Sequence, residues 1–291
     1  MKRILLLTTT SMLFCVAMLQ AQNVFDPADP IVRYNSAATL GTATNPDPTI
    51  QNQLQKWVSV ASNGISTGSG SYDVTSYKAY FINIGGAQMC FRLKFPKSYT
   101  NPDSAGKKYP IMVFFHGAGE PGCNSNGGVY NNERQLTHGG KLFRDRVDNG
   151  SFDGFLFYPQ VNSGSSCSST WGTAPYSPYY NLVLRSLDSL TKYARMDVDR
   201  VFVDGLSNGG ATTWSMTSEY PRSVAAAAPS AAATGATNFA DFAAIPIWFA
   251  TGALDTNPNQ AFAESVYNNL KNIGADIRFT LYPDLGHGVW T

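Results

Sequence analysis

Five apolar runs constrain this chain more than any other feature. They are "YPIMVFFHG", "GFLFYPQ", "RVFVDG", "IPIWFATG" and "DIRFTLYP". A strand with one wet face alternates polar and apolar residues, so runs that are apolar on both faces read as strands buried beneath helices. Helix-like patterns lie between several of them: "YYNLVLRSLDSLTKYA", "NGGATTWSMTSEYP" and "NQAFAESVYNNLKNIGA". In the first, Leu182, Leu184, Leu187 and Leu190 recur near helical spacing. Ahead of them, "YKAYFINI" and "AQMCFRLKF" flank Gly85-Gly86 and read as a hairpin. An antiparallel opening followed by strand–helix alternation predicts an α/β domain with a mostly parallel sheet covered on both faces. No internal repeat is evident, and 291 residues suit one large domain.

The first 76 residues have a different texture. Lys2 and Arg3 precede an apolar segment from Ile4 to Leu19, and Ala21 offers a small residue for cleavage. That is the layout of a signal peptide over residues 1–21, too short in its apolar core for a comfortable transmembrane helix. Phe14 is bulky where lipid attachment to Cys15 would need a small neighbour, so no lipid anchor is expected. Residues 22–76 read as a loop-rich extension, with "TNPDPT" and "SNGISTGSGS" as turn chemistry and "TIQNQLQKWVSVAS" as one short amphipathic helix. Residues 77–291 would form the catalytic domain. Loss of Lys2 and Arg3 moves the formal charge from +1 to about −1, and neither value suggests a nucleic-acid or anionic-membrane partner. The mature chain keeps Cys90, Cys123 and Cys167, so in an oxidising compartment one pair and one free thiol is the simplest arrangement.

Gly-x-Ser-x-Gly occurs twice, at "GISTG" (64–68) and "GLSNG" (205–209). Composition alone yields roughly 0.2 matches in a chain of this length, so context must decide between them. No strand leads into Ser66 and no helix leaves it. Ser207 lies between the run "RVFVDG" and the helix pattern "ATTWSMTSEY". Such a turn crowds any β-carbon at Gly205 and Gly209, exposes the serine at the C-terminal edge of the sheet, and sets it on a helix N-terminus that favours negative charge. Ser207 is the candidate nucleophile.

A serine needs a base, and the chain holds three histidines. His287, in "YPDLGHGVW", follows the last predicted strand and reaches the same sheet edge. His116, in "FFHGAGE", follows the first parallel strand and reads as structural. His138, in "QLTHGG", lies in a polar loop or short helix. The orienting carboxylate belongs on the loop after the penultimate strand, where Asp255 in "WFATGALDTNPN" stands, with Asp284 the second choice. Backbone N–H groups of Asn208 and of Ala118, or alternatively Gly117, would form an oxyanion hole.

From about Tyr77 onward the chain resembles secreted α/β-hydrolase esterases. The family includes carbohydrate esterases and feruloyl esterases, phospholipase/carboxylesterases and polyhydroxybutyrate depolymerases. "YPIMVFFHGAGE", "YPQ" followed by Trp171, "DVDRVFVDGLSNGG" and "LGHGVW" carry the resemblance. It implies the α/β-hydrolase fold without a large cap domain, and ester hydrolysis through an acyl-enzyme. It also implies no metal or organic cofactor, and an ester substrate that can be polymeric. The family's strand order makes the strands ending at Phe115 and Pro159 neighbours, which implies a Cys123–Cys167 disulfide beside the cleft and leaves Cys90 free. The family usually adds a helix after the histidine loop, so a chain ending at Thr291 suggests a fragment. Trp171 is a candidate cleft wall or a packing residue, and Trp290 would pack on His287 or border the site. The readings set against a carbohydrate or aromatic esterase are a polyester depolymerase, a peptidase of the same fold, and a carbohydrate-binding protein on an inactive scaffold.

Overall fold

The computed structural model describes residues 54–56, 76–84, 87–122, 132–161, 171, 178–236 and 238–290. The signal-peptide segment, Ser66, Cys123 and Cys167 lie outside the described residues.

Among the described residues nine strands form one sheet: β1 (Leu54–Lys56), β2 (Lys78–Ile84), β3 (Ala87–Lys94), β4 (Tyr109–Phe115), β5 (Phe155–Gln160), β6 (Met196–Leu206), β7 (Ala226–Ser230), β8 (Ile247–Gly252) and β9 (Ile277–Tyr282). Their spatial order is β1-β2-β3-β5-β4-β6-β7-β8-β9. The pairs β1–β2, β2–β3 and β3–β5 are antiparallel, and every pair from β5 to β9 is parallel. Each apolar run singled out in the sequence is one of these strands, and β5 is buried at all its positions.

Four α-helices accompany the sheet: α1 (Gly140–Asp148), α2 (Pro178–Tyr193), α3 (Asn208–Glu219) and α4 (Gln260–Asn272). Side chains alternate faces along a strand, and β4 shows which helix covers which face. Ile111, Val113 and Phe115 join a core with Leu182, Leu187 and Leu190 of α2, Trp214 and Met216 of α3, and Val266 and Leu270 of α4. Phe114 points the other way, into a smaller cluster with Val147 of α1, Leu156, Tyr158 and Leu206.

One expectation needs correction. Leu54–Lys56, placed in a helix by its amphipathic pattern, is a strand pairing with β2. The backbone edge offered by β2 overrides a weak local preference. The segment before residue 77 therefore supplies part of the sheet. Helices lie on both faces of the sheet as expected; on the face of α1, a groove of about 350 Å³ runs over Met112, Phe202, Ala226, Ala228 and Trp248, and Trp248 is 59% exposed.

β7 has no apolar run of the usual kind. Its sequence is "AAAPS", with Ala227 in the core beneath α3 and Ala226 and Ala228 on the groove; α3 lies so close that a β-carbon at Gly210 would stand 2.6 Å from Ser230 O and 2.9 Å from Ala232 Cβ. Cys90, on β3, is buried and free, and burial pushes its thiol up although Arg92 pulls the other way.

Asp204 of β6 lies in the groove, where burial pushes its carboxyl up to about 7 against the opposing hydrogen bond from the Gly205 N–H (2.6 Å). In the unfolded chain an aspartate titrates near about 3.9. Between those values the folded chain holds a proton that the unfolded chain has released, so this group's contribution to stability falls as pH rises. The Tm of Asp204→Asn relative to wild type is expected to climb from about pH 4 to about pH 7 and then level off. A difference independent of pH would show that burial does not govern this carboxyl.

Candidate active site

The site begins with a turn that the chain can make in few ways. β6 ends at Leu206, α3 begins at Asn208, and Ser207 between them has φ +53° and ψ −119°. That left-handed conformation is costly for a residue with a side chain and persists only where its surroundings enforce it. Here they do. A β-carbon at Gly205 would stand 2.4 Å from Gly209 O, and one at Gly209 would stand 2.0 Å from Phe115 O and 2.5 Å from His116 O. The Ser207 N–H donates to Ser230 O at 2.9 Å, fastening the turn to β7.

His287 and Asp255 meet this serine. The Ser207 hydroxyl and His287 Nε2 are 2.8 Å apart, and His287 Nδ1 is 2.8 Å from Asp255 Oδ2. An ionised carboxylate only accepts, so Nδ1 carries the proton and Nε2 is left to accept from the hydroxyl. Asp255 is 6% exposed, and its Oδ1 accepts from the Asn257 N–H at 2.9 Å. Asp284 is exposed and takes no part in this arrangement. Two loops must cross for the imidazole to meet the carboxylate. Leu254 N–H donates to Leu285 O at 3.0 Å, and a β-carbon at Gly252 would stand 2.2 Å from that oxygen. Gly252 is a requirement of the site that the sequence reading missed; its position at the end of β8 is the signal that could have found it.

Ala118, Ser207, Asn208, Asp255 and His287 line one cavity of about 510 Å³, whose other walls include Ala211, Ala231, Ala232, Ala233, Pro258 and Phe262. Asn208 opens α3, so its N–H has no partner within the helix and points with the positive end of the helix dipole. Gly117, the alternative to Ala118, is packed instead: a β-carbon there would stand 2.7 Å from Leu206 Cδ1 and 3.0 Å from Glu120 Oε2.

The loop after β4 is held from several sides. His116 is 1% exposed, and burial pushes its imidazole down to about 4, so it is neutral at pH 7. Its partners assign the tautomer: Nδ1–H donates to Gly117 O at 2.6 Å, and Nε2 accepts from the Val161 N–H at 3.1 Å. With both nitrogens so engaged, His116 braces the loop. The Arg134 guanidinium donates to Gly119 O at 2.6 Å, and Gln160 Nε2 donates to Glu120 O at 3.2 Å.

Neither tryptophan borders the cavity. Trp171 is 1% exposed; its indole N–H donates to His116 O at 2.9 Å, and its backbone N–H donates to the side-chain oxygen of Asn208 at 2.9 Å. It lies beneath the loop because an indole needs a partner for its N–H when buried, and His116 O supplies one. Trp290 packs its ring against His287, with centroids 5.3 Å apart and planes at 86°. Among the described residues no group of three or more His, Cys, Asp or Glu is arranged to hold a metal ion. No described helix is long and apolar enough to cross a membrane.

No family model matches the chain, and no curated protein matches it. Solved structures do resemble it. A thermostable esterase superposes with a TM-score of 0.61 at 25% identity, over 74% of this chain and 56% of the esterase. This chain therefore corresponds to little more than half the length of that protein. A ferulic acid esterase gives a TM-score of 0.55 at 15% identity, over 73% of this chain and 92% of its own. FphF, a fluorophosphonate-binding serine hydrolase of Staphylococcus aureus, gives 0.52 at 14% identity, over 72% and 92%. The fold is that of the α/β hydrolases, and these structural neighbours are esterases and serine hydrolases.

Gly209→Ala is expected to destabilise the protein by about 3 kcal/mol or more, because the overpacked atoms are main chain and cannot turn aside. Gly119→Ala, with nothing within 4 Å of the new carbon, should be near neutral. Urea midpoints of the two variants provide the comparison.

Proposed function

We propose that the protein is a secreted serine carboxylic-ester hydrolase acting through an acyl-enzyme, on carbohydrate-linked or aromatic esters of the acetyl or feruloyl type. The observation that carries the reading is the unbroken line Ser207–His287–Asp255, with both hydrogen bonds at 2.8 Å, at the mouth of a cavity. Ser207 Oγ attacks the ester carbonyl while His287 Nε2 takes its proton, and Asp255 holds the imidazole and stabilises the imidazolium. The carbonyl oxygen becomes an oxyanion facing the N–H groups of Asn208 and Ala118. His287 returns the proton to the departing alcohol. Water, deprotonated by the same histidine, then releases the acid and restores the serine hydroxyl.

The cavity favours an uncharged acyl group. Five alanines and Phe262 line it, and Asp255, already bound to His287, is the one carboxylate among its described lining residues. Phe262 is 45% exposed and offers a flat apolar surface on which an aromatic acyl group could stack. The same features suit the repeat unit of a polyester, so a depolymerase remains the second reading.

Hydrolysis of p-nitrophenyl acetate, butyrate and octanoate beside methyl ferulate tests the proposal. Ser207→Ala should lower kcat by several orders of magnitude, on the scale of about 10⁶ when a triad serine is removed. Equal low rates in folded wild type and variant would contradict an esterase. Ala211→Leu, placed on an exposed wall of the cavity, should depress octanoate and ferulate turnover at least about tenfold while sparing acetate, since side-chain bulk excludes only the longer acyl groups.

A further inference from the structure

The hydrolytic reading requires two groups to be held at once: the imidazole that moves the proton and the loop that receives the oxyanion. They come from opposite ends of the catalytic region, after β9 and after β4. A line of contacts outside the triad runs between them.

The line starts at His287. This residue is exposed, with 42% of its side chain open to solvent, and Asp255 fixes it through one nitrogen. The Ser207 hydroxyl meets Nε2 as well, but that contact is lost once the serine is acylated, and the one remaining hydrogen bond leaves the ring free to swing about Nδ1. Trp290 limits the swing, because its indole stands edge-on to the imidazole at 5.3 Å and 86°. Trp290 is in turn held by His138, whose ring lies 5.8 Å away at 68°. His138 Nε2 is 3.7 Å from Glu120 Oε1, the spacing of an ion pair rather than of a hydrogen bond.

Glu120 completes the line. Burial opposes its charge, but His138, His116 and the Gly117 N–H together hold its carboxyl below the usual glutamate range. Its Oε2 lies against Gly117, so close that a β-carbon there would be 3.0 Å away. The Gly117 N–H faces this carboxylate, and Ala118 is the residue of the pair that lines the cavity. Glu120 thereby packs against the His116–Gly117 peptide, directly before the Gly117–Ala118 peptide whose N–H would face the oxyanion.

We infer that Glu120, His138 and Trp290 are positioning residues that tie the oxyanion-hole loop to the His287 ring, so that the two are aligned together. The inference rests on the hydrolytic reading of the site. It goes beyond the triad in assigning work to a histidine and a tryptophan that touch neither the nucleophile nor the cavity. Because a misplacement of about 1 Å can cost about 10²-fold in rate, a brace of this kind acts on turnover more than on binding.

The test is steady-state hydrolysis of p-nitrophenyl acetate by wild type, Glu120→Gln, His138→Ala, Trp290→Ala, Trp290→Phe and the double variant Glu120→Gln/Trp290→Ala. Each rate is normalised to the sites labelled by a fluorophosphonate, and each Tm is recorded. Trp290→Ala should lose about 10- to 100-fold in kcat with KM within about twofold, and Trp290→Phe, which keeps an aromatic edge, should recover most of the loss. Glu120→Gln and His138→Ala should lower kcat about tenfold, and the double variant should fall no further than Trp290→Ala alone, since one break severs the line. Variants within twofold of an active wild type in kcat, or effects that multiply in the double variant, would overturn the inference while leaving the triad in place. Losses that track Tm and are not recovered by Trp290→Phe would also overturn it, by showing general packing. A folded wild type that neither hydrolyses the ester nor takes up the label would remove the hydrolytic reading first and this inference with it.

Discussion

The contact between Gly209 and the carbonyl oxygens of Phe115 and His116 is the constraint on which the site depends. It brings the first turn of α3 against the end of β4 so closely that no side chain fits between them. The chain leaving β6 can reach that position only by turning sharply at Ser207, in a conformation that a serine would otherwise avoid. The strain lifts the hydroxyl off the sheet edge and sets it at the positive end of a helix. The same closeness brings the loop after β4 beside the serine, so the proposed nucleophile and oxyanion donor come from one packing event.

The sheet supplies the remaining geometry. β4, β6, β8 and β9 run parallel, so the loops that carry Ala118, Ser207, Asp255 and His287 all leave from the same edge. Neighbouring parallel strands stand about 4.8 Å apart. Asp255 and His287 follow adjacent strands and need only the crossing at Gly252 to meet. β7 lies between β6 and β8, and Ala227, the small residue it turns toward the core beneath α3, lets that helix settle onto the sheet. Bulkier residues in β7 would push α3 outward and relax the turn at Ser207.

Much of this was legible in the sequence for a plain reason. Strands buried on both faces must be continuously apolar, and "YPIMVFF", "FLFYPQ" and "RVFVDG" announce themselves. Gly205 and Gly209 signal the turn because close backbone approach admits no other residue, and three histidines leave few choices of base. Other features stayed hidden because tertiary contacts decide them. β7 turns the small Ala227 toward the core beneath α3, a close approach that no local pattern reveals. Leu54–Lys56 is a strand because β2 offers an edge, although its own pattern favours a helix. Trp171 looked equally suited to a cleft wall and to a buried prop, and the carbonyl of His116 decides between them. Trp290 lies close to His287 in sequence and its packing there was one of two expectations, whereas the continuation of the line through His138 to Glu120 is visible only in three dimensions.

Covalent labelling with a fluorophosphonate, followed by peptide mapping, tests the central claim most directly. The strained turn and the base at 2.8 Å should make one hydroxyl far more nucleophilic than every other serine in the chain. The account predicts one equivalent of label on the peptide carrying Ser207, and its loss in His287→Ala. Label on Ser66, label spread over several serines, or none on the folded protein would contradict it.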